Sequence, residues 1–271
     1  MGISDSKQYR KSAQKFCKWI LNVKSSTSDT ALYSETGRYP LCIGRKINTV
    51  KYWLKLVKNY SGNCILQEIY NTLCKGTRRH ARNWTSNVKF LLQTNGFGDV
   101  WEFPNSVSNN VFIPILLTRL KDTFIVECRN GMNIQTSLSL YKELHDNFEM
   151  AFYLRKLLNP KHRHALSKLR LSSHPLLIEQ GRHHRPQIQR QNRLCSLCNT
   201  RDIEDEFHFV LKCSVYHELR TQYIPRYYQC RPSMVKFIGL LNSTNVGRLR
   251  NLSIYVTKAL KQRQDRLTVQ V

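Results

Sequence analysis

Acidic side chains are scarce in this sequence, which has 18 Asp and Glu residues against 43 Lys and Arg and a formal charge of +25. A chain of 271 residues with 41% hydrophobic residues can bury a core without help from metals or disulfides. The excess positive charge is therefore expected on the surface of a folded protein. Such a surface favours a polyanionic partner, with nucleic acid as the first candidate and an acidic membrane surface as the second.

Long apolar runs are also absent. The longest strongly apolar run, VFIPILL at 111–117, is far shorter than the roughly 20 residues that span a bilayer, so no membrane segment is expected. No apolar leader follows Met1, and the nine cysteines are an odd number. We therefore expect an intracellular protein with reduced thiols, and the sequence leaves nucleus and cytoplasm open.

Apolar residues recur at helical spacing, which predicts a mainly α fold with a helical body on its N-terminal side. The first two apolar stripes, each expected to be buried, are Phe16, Trp19, Ile20 and Val23, and Ile47, Val50, Leu54 and Val57. Further helical stripes are predicted within 66–73, 84–92, 113–124 and 144–158. The segment 94–110 is rich in Gly, Asn and Pro, and it is predicted to be a loop.

Positive charge is most concentrated in residues 155–193, which contain ten Lys or Arg, five His and a single acid, Glu179. A charge run is often only a solvated face, but this one leads directly into a Cys/His cluster, which favours nucleic-acid binding. The arginines predicted to contact nucleic acid, on an irregular exposed surface, are Arg170, Arg182, Arg185, Arg190 and Arg193. Arg170 is expected to contribute least, because the sequence RLSSH is compatible with a folded turn that holds its guanidinium inside.

The Cys/His cluster has the spacing C-x2-C-x9-H-x4-C and consists of Cys195, Cys198, His208 and Cys213. This spacing predicts one structural zinc ion, because four protein ligands complete a tetrahedral shell and leave no position for a catalytic water. The remaining cysteines stand alone in apolar segments and are interpreted as packing residues; they are Cys17, Cys42, Cys64, Cys74, Cys128 and Cys230.

Four acids lie between Cys198 and His208 in the sequence: Asp202, Glu204, Asp205 and Glu206. They could be taken for a two-metal catalytic site, but on a loop clamped by zinc they are more simply interpreted as supports for the ligands or as balance for the positive charge. Downstream of Cys213 the sequence has too few acids for a carboxylate-based nuclease, and no nucleophile elbow indicates a hydrolase. No catalytic residue is therefore predicted.

These patterns predict four parts: a helical region (1–154), a basic connecting segment (155–193), a zinc-binding module (194–220) and a helical basic tail (221–271). Since the helical body should have its own core, loss of the metal is expected to unfold only the segment near residues 190–220.

Three blocks follow one another in the order SETGRYPLCIGRKINTVKYWLKL (34–56), RLSSHPLLIEQGR (170–182) and the Cys/His block. Together they resemble the region after the polymerase domain in invertebrate LINE-type, jockey-like non-LTR retrotransposon reverse transcriptases. The resemblance covers about residues 12–228. It implies that residues 13–41 correspond to the end of the polymerase thumb and that the Cys/His block is the zinc-binding module of the family. The implied partners are RNA or DNA and the upstream polymerase portion of the element.

The catalytic signature of that family is a pair of adjacent aspartates, and this sequence contains no Asp-Asp pair. Polymerase chemistry needs such carboxylates to hold two Mg²⁺ ions, so we expect no polymerase activity from this chain. It would then be the template- and target-handling end of a truncated element or of a partial gene model. The alternative interpretation is a protein-interaction module that docks a basic partner through the acids of 202–206, with the positive charge serving only solubility.

Overall fold

The computed structural model describes residues 7–58, 64–77, 83–144, 147–157 and 159–269. These residues are mostly helical and contain no strand, only one isolated antiparallel bridge between Leu194 and Ile203. The predicted mainly α fold is confirmed. Among the helices described, none combines the length and apolar character that crossing a bilayer requires.

Fifteen α-helices occur in the described part of the chain. They are α1 (Lys7–Leu21), α2 (Asp29–Thr36), α3 (Leu41–Lys58), α4 (Cys64–Thr77), α5 (Trp84–Thr94), α6 (Gly98–Glu102), α7 (Asn109–Ile134), α8 (Ser139–Leu144), α9 (Phe152–Lys156), α10 (Pro160–Arg170), α11 (Leu177–His183), α12 (His217–Tyr223), α13 (Arg226–Gln229), α14 (Met234–Leu241) and α15 (Val246–Val269). Short 3-10 turns and one π-turn, His208–Lys212, connect some of them.

The chain forms two compact units, each made of separate stretches of sequence. The first comprises the described residues within 1–13 and 39–127, and the second those within 14–38 and 128–269. The division differs from the four predicted parts: the basic segment, the Cys/His block and the C-terminal helices all belong to the second unit, together with α2.

The core of the first unit is built from the apolar stripes of α3, α5 and α7. Val50, Trp53 and Leu54 on α3 are completely buried. The Trp53 ring stacks on Trp101 with 5.1 Å between centroids, and its Nε1–H donates to Tyr70 Oη at 3.1 Å. Trp101 belongs to α6, so the predicted loop 94–110 contains a helical turn, because its apolar side chains pack into this core.

The predicted buried stripe of α1 is wrong for most of its members. Phe16 is 51% exposed and Trp19 76% exposed, while Cys17 and Leu21 are buried. These two residues are four positions apart and pack in one cluster with Leu32 of α2. The helix therefore buries a face next to the predicted one, the face that carries Cys17 and Leu21.

The core of the second unit contains two of the predicted metal ligands. Cys195 and Cys213 lie in the same buried cluster as apolar residues of α10, α14 and α15. Phe209, between the ligands His208 and Cys213, packs edge-on against Tyr216 with 5.1 Å between centroids. Its carbonyl accepts a 2.7 Å hydrogen bond from the buried Tyr255 hydroxyl of α15. The Cys/His block is thus part of the main core of the unit and has no core of its own.

Candidate metal centre

A short loop closed at its base presents the first two ligands, and we call residues 193–206, which include it, the metal loop. The bridge between Leu194 and Ile203 pairs the two ends of this loop, and the Cys195 N–H donates to the Asp202 carbonyl at 2.9 Å. One residue beyond each end, the Glu204 N–H donates to the Arg193 carbonyl at 2.8 Å. The chain between these contacts turns back on itself and brings the thiols of Cys195 and Cys198 to one side.

A π-turn presents the other two ligands. The Cys213 N–H donates to the His208 carbonyl at 2.8 Å, so residues five apart are one turn apart here. The H-x4-C spacing fits this turn, because both ligand side chains then leave the helix on the same side. Arg220, which is buried, supports the turn by donating from Nε to the Val210 carbonyl at 2.9 Å and from Nη2 to the Cys213 carbonyl.

The four ligand atoms lie within 4.8 Å of one another. The Cys198 sulfur is 3.4 Å from His208 Nε2. In a tetrahedral shell with metal–ligand bonds of about 2.0–2.3 Å, ligand atoms stand roughly 3.3–3.8 Å apart, so the cluster can close on an ion with little movement. Within the described residues this is the one Cys/His/carboxylate group with such a geometry. The cluster could therefore hold a metal ion.

The thiols of Cys195 and Cys213 share a hydrogen bond, so that the pKa of Cys213 is raised while that of Cys195 is lowered. A hydrogen bond with the Cys213 thiol lowers the pKa of Cys195, burial opposes this, and hydrogen bonds with His208 and with the N–H groups of Leu197 and Cys198 lower it further. The lower pKa favours the thiolate, which is the form that coordinates a metal.

The imidazole of His208 is oriented with Nε2 toward the cluster and Nδ1 away from it. Nδ1 is buried without a hydrogen bond, and the nearest carboxylate oxygen, Asp202 Oδ2, lies 3.6 Å from it. Asp205 caps the turn by accepting from the His208 N–H at 2.8 Å. Asp205 thus holds the backbone of the ligand histidine, while the Asp202 carboxylate lies near the imidazole without a hydrogen bond to it.

The other two acids of this loop tie it to the rest of the unit. Glu204 is 3% exposed, accepts two hydrogen bonds from Arg263 of α15 at 2.6 and 2.7 Å, and accepts from the Leu177 N–H at 2.7 Å. Glu206 is 7% exposed and pairs with the fully buried His174 at 2.8 Å. The sequence analysis did not identify Arg263 and His174 as partners of these acids. His174 and the Leu177 N–H, which bind Glu206 and Glu204, both lie in the block RLSSHPLLIEQGR, so only that block offered a signal.

Two of the five arginines predicted on an exposed nucleic-acid surface are buried instead and hydrogen-bonded within the protein, which the sequence predicts for Arg170 alone. Arg170 is 3% exposed, donates to both carboxylate oxygens of Glu35 at 2.6 and 3.3 Å, and donates to the Leu241 carbonyl at 3.1 Å. Arg193 is 4% exposed and donates to the carbonyls of Ile178 and Ile188 at 2.8–2.9 Å. Neither side chain can reach a phosphate in solvent.

The remaining three predicted arginines differ in how far they are exposed to solvent. Arg182 is half-buried, donating to Glu179 at 2.9 Å and to the Thr136 hydroxyl at 2.8 Å. Arg185 and Arg190 are exposed. They lie in the segment 183–192, which is exposed apart from the half-buried Ile188. We call this segment the basic loop.

Arg193 fixes the conformation of the basic loop through hydrogen bonds to Ile188. Its side chain crosses Gly181 so closely that a Cβ there would lie 2.8–2.9 Å from Arg193 side-chain atoms. Its hydrogen bonds to the Ile188 carbonyl, together with the Ile188 N–H donating to the Gly181 carbonyl at 3.0 Å, fix the middle of the loop. The middle of the loop therefore has a defined conformation, and the loop ends three residues before Cys195.

We expect Arg193→Ala to loosen this loop. The carbonyl groups that now accept hydrogen bonds from the guanidinium would lose their donor, and each unpaired carbonyl would lower the free energy of unfolding by about 1–3 kcal/mol. Amide exchange of Ile188 should become faster by at least about tenfold. Arg190→Ala, which removes an exposed arginine from the same loop, is the matched control and should leave the exchange unchanged. Equal exchange in both variants would contradict this role of Arg193.

Comparison of the chain with protein-family models, with curated proteins and with solved structures gave no match in any of the three.

Proposed function

We propose that this protein is a zinc-stabilised nucleic-acid-binding part of a retrotransposon RNA-directed DNA polymerase, corresponding to its C-terminal region and lacking the polymerase active site. One observation carries the proposal: an exposed arginine-bearing loop, 183–192, runs directly into a converged three-cysteine, one-histidine cluster. The assignment to a retrotransposon rests on the three sequence blocks and on their order.

Zinc is the metal that best fits the cluster. Three thiolates and one imidazole are soft to borderline ligands, and zinc accepts them in a tetrahedral shell. All four positions are supplied by the protein, so the ion would act as a cross-link between the loop of Cys195 and Cys198 and the π-turn of His208 and Cys213. It would supply no chemistry beyond that.

Nucleic acid is the partner that best fits the charge. The protein carries 43 Lys and Arg against 18 Asp and Glu, and the buried acids Glu35, Glu204 and Glu206 are paired inside. Their negative charge is therefore not presented at the surface. Arg185 and Arg190 can contact phosphate oxygens, and the exposed His183 and His184 stand beside them.

The test is the salt dependence of binding to a single-stranded oligonucleotide. Each phosphate contact that is lost should lower the slope of log affinity against log salt by about 0.7 for a single strand, so Arg185→Ala with Arg190→Ala should lower it by one to two. The charge-matched control is Lys51→Ala with Arg119→Ala, which removes two exposed cations of the first unit. An equal effect of both double variants would show that only net charge matters and that the basic loop is not the site.

The alternative function, a module that docks a basic protein through the acids of 202–206, has less support. Glu204 and Glu206 are buried and paired with Arg263 and His174, so they are not free for a partner. A docking surface built on apolar anchors would give an affinity nearly independent of salt, and the same titration therefore separates the two functions.

A further inference from the structure

A second cationic surface lies at α13 and α14 and is centred on an exposed tyrosine ring. Tyr227 is 67% exposed. The ammonium group of Lys236 lies 4.7 Å from the centroid of this ring and also donates to the Cys230 carbonyl at 2.6 Å. Tyr228 packs against Tyr227 nearly perpendicular, with 5.0 Å between centroids and an interplanar angle of 83°. The ring is thus held in place and still open to solvent.

The residue behind Tyr227 is anchored firmly. Tyr228 is only 7% exposed, and Arg248 donates to its hydroxyl at 3.0 Å and to Ser243 Oγ at 3.2 Å. The Arg248 guanidinium also lies 5.5 Å from the Tyr228 ring centroid. Lys236, Tyr227, Tyr228 and Arg248 therefore form a continuous row of cation, ring, ring and cation, which we call the tyrosine surface.

The surroundings of this surface are positive. Residues 219–264 contain nine Lys or Arg and no Asp or Glu, and two of the nine, Arg220 and Arg263, are buried. Arg226 precedes Tyr227, Arg231 follows Cys230, and both arginines are exposed. A partner that fits must therefore offer negative charge together with a flat, polarisable face for the ring. A nucleotide with an unpaired base has both, whereas the bases of a duplex are stacked on one another and closed to the ring.

We propose that the tyrosine surface binds single-stranded nucleic acid, with one unpaired base stacked on Tyr227 and neighbouring phosphates contacted by Lys236, Arg226 and Arg231. This inference rests on the proposed function, and it adds that an unpaired strand is the form recognised. An anionic membrane surface would use the same charges without needing the ring.

The experiment compares Tyr227→Leu with Tyr227→Phe in the full chain. Base stacking on an aromatic side chain is worth enough that its loss weakens binding by about fivefold or more. We expect this loss for Tyr227→Leu with a single-stranded oligonucleotide, and no loss for Tyr227→Phe, which keeps the ring. Both variants should bind an oligonucleotide without bases, and a duplex, as the unaltered protein does. Tyr52→Leu, at a tyrosine of α3 that is 59% exposed, is the matched control and should have no effect.

The outcomes separate this inference from the proposed function. If the unaltered protein binds no oligonucleotide, the proposed function fails and the inference fails with it. If the unaltered protein binds, but Tyr227→Leu and Tyr227→Phe bind equally well, only the inference fails. It also fails if Tyr227→Leu loses the same affinity for the oligonucleotide without bases, because the effect then does not come from stacking.

Discussion

Chelation of the proposed zinc ion should unfold the whole second unit, and not only residues near 190–220. Cys195 and Cys213 are buried in one cluster with residues of α10 and α15, and Glu204 of the metal loop is paired with Arg263 of α15. A structural zinc contributes on the order of 10 kcal/mol, which is comparable to the entire stability of a typical domain. Amide exchange after chelation should therefore show lost protection in α10 and α15 as well as in the metal loop.

Two variants test this expectation without a chelator. Cys213→Ser should have the same effect as chelation, because it removes a ligand that is completely buried. Cys230→Ser changes an exposed thiol outside the cluster and should leave the exchange pattern unchanged. The helices α3 and α5 should remain protected, since they have a core of their own. Continued protection of α10 and α15 in the Cys213→Ser protein would show that the metal loop folds separately, as the sequence alone predicted.

Loss of either partner of the Glu35–Arg170 pair should destabilise the protein by about 3–5 kcal/mol, because the other charge then stays buried without compensation. Glu35 is fully buried and Arg170 is 3% exposed. Burial favours a lower pKa for Arg170, but the Glu35 carboxylate overcomes this and raises the pKa, so the guanidinium remains charged. Denaturant titration of Glu35→Ala and of Arg170→Ala measures the effect.

The double variant Glu35→Leu with Arg170→Met is the control for this pair. It should cost less than the two single changes together, because it leaves no unpaired charge. In the salt titration with oligonucleotide, folded Arg170→Ala should keep the slope of the unaltered protein. A lowered slope with unchanged stability would place the Arg170 guanidinium at the nucleic acid and contradict its assignment to the core.

The helices could be predicted from the sequence better than the faces they bury. Ile47, Val50 and Leu54 of α3 are buried as their spacing predicts. Trp19 of α1 has equally regular spacing and is 76% exposed. Periodicity shows that a face is apolar, but which neighbour covers it depends on contacts between distant parts of the chain.

The same distinction holds for the candidate site. The four ligands could be found because their spacings are local, two residues in a C-x-x-C turn and one π-turn from His208 to Cys213. The burial of Arg170 could not, because its partner Glu35 lies 135 positions away. Arg193 donates to carbonyls only five and fifteen positions away. Every residue has a backbone carbonyl, so the sequence does not show which of them accepts. Counting charges therefore overestimated the arginines available to a phosphate.

Native mass spectrometry of protein purified under reducing conditions tests the proposed zinc site directly, because it counts the ions that each folded chain holds. We expect one zinc per chain for the unaltered protein and for Cys230→Ser, and none for Cys195→Ser combined with Cys198→Ser. Absence of zinc from the unaltered reduced protein, or an unchanged zinc content in the double variant, would contradict the proposed site.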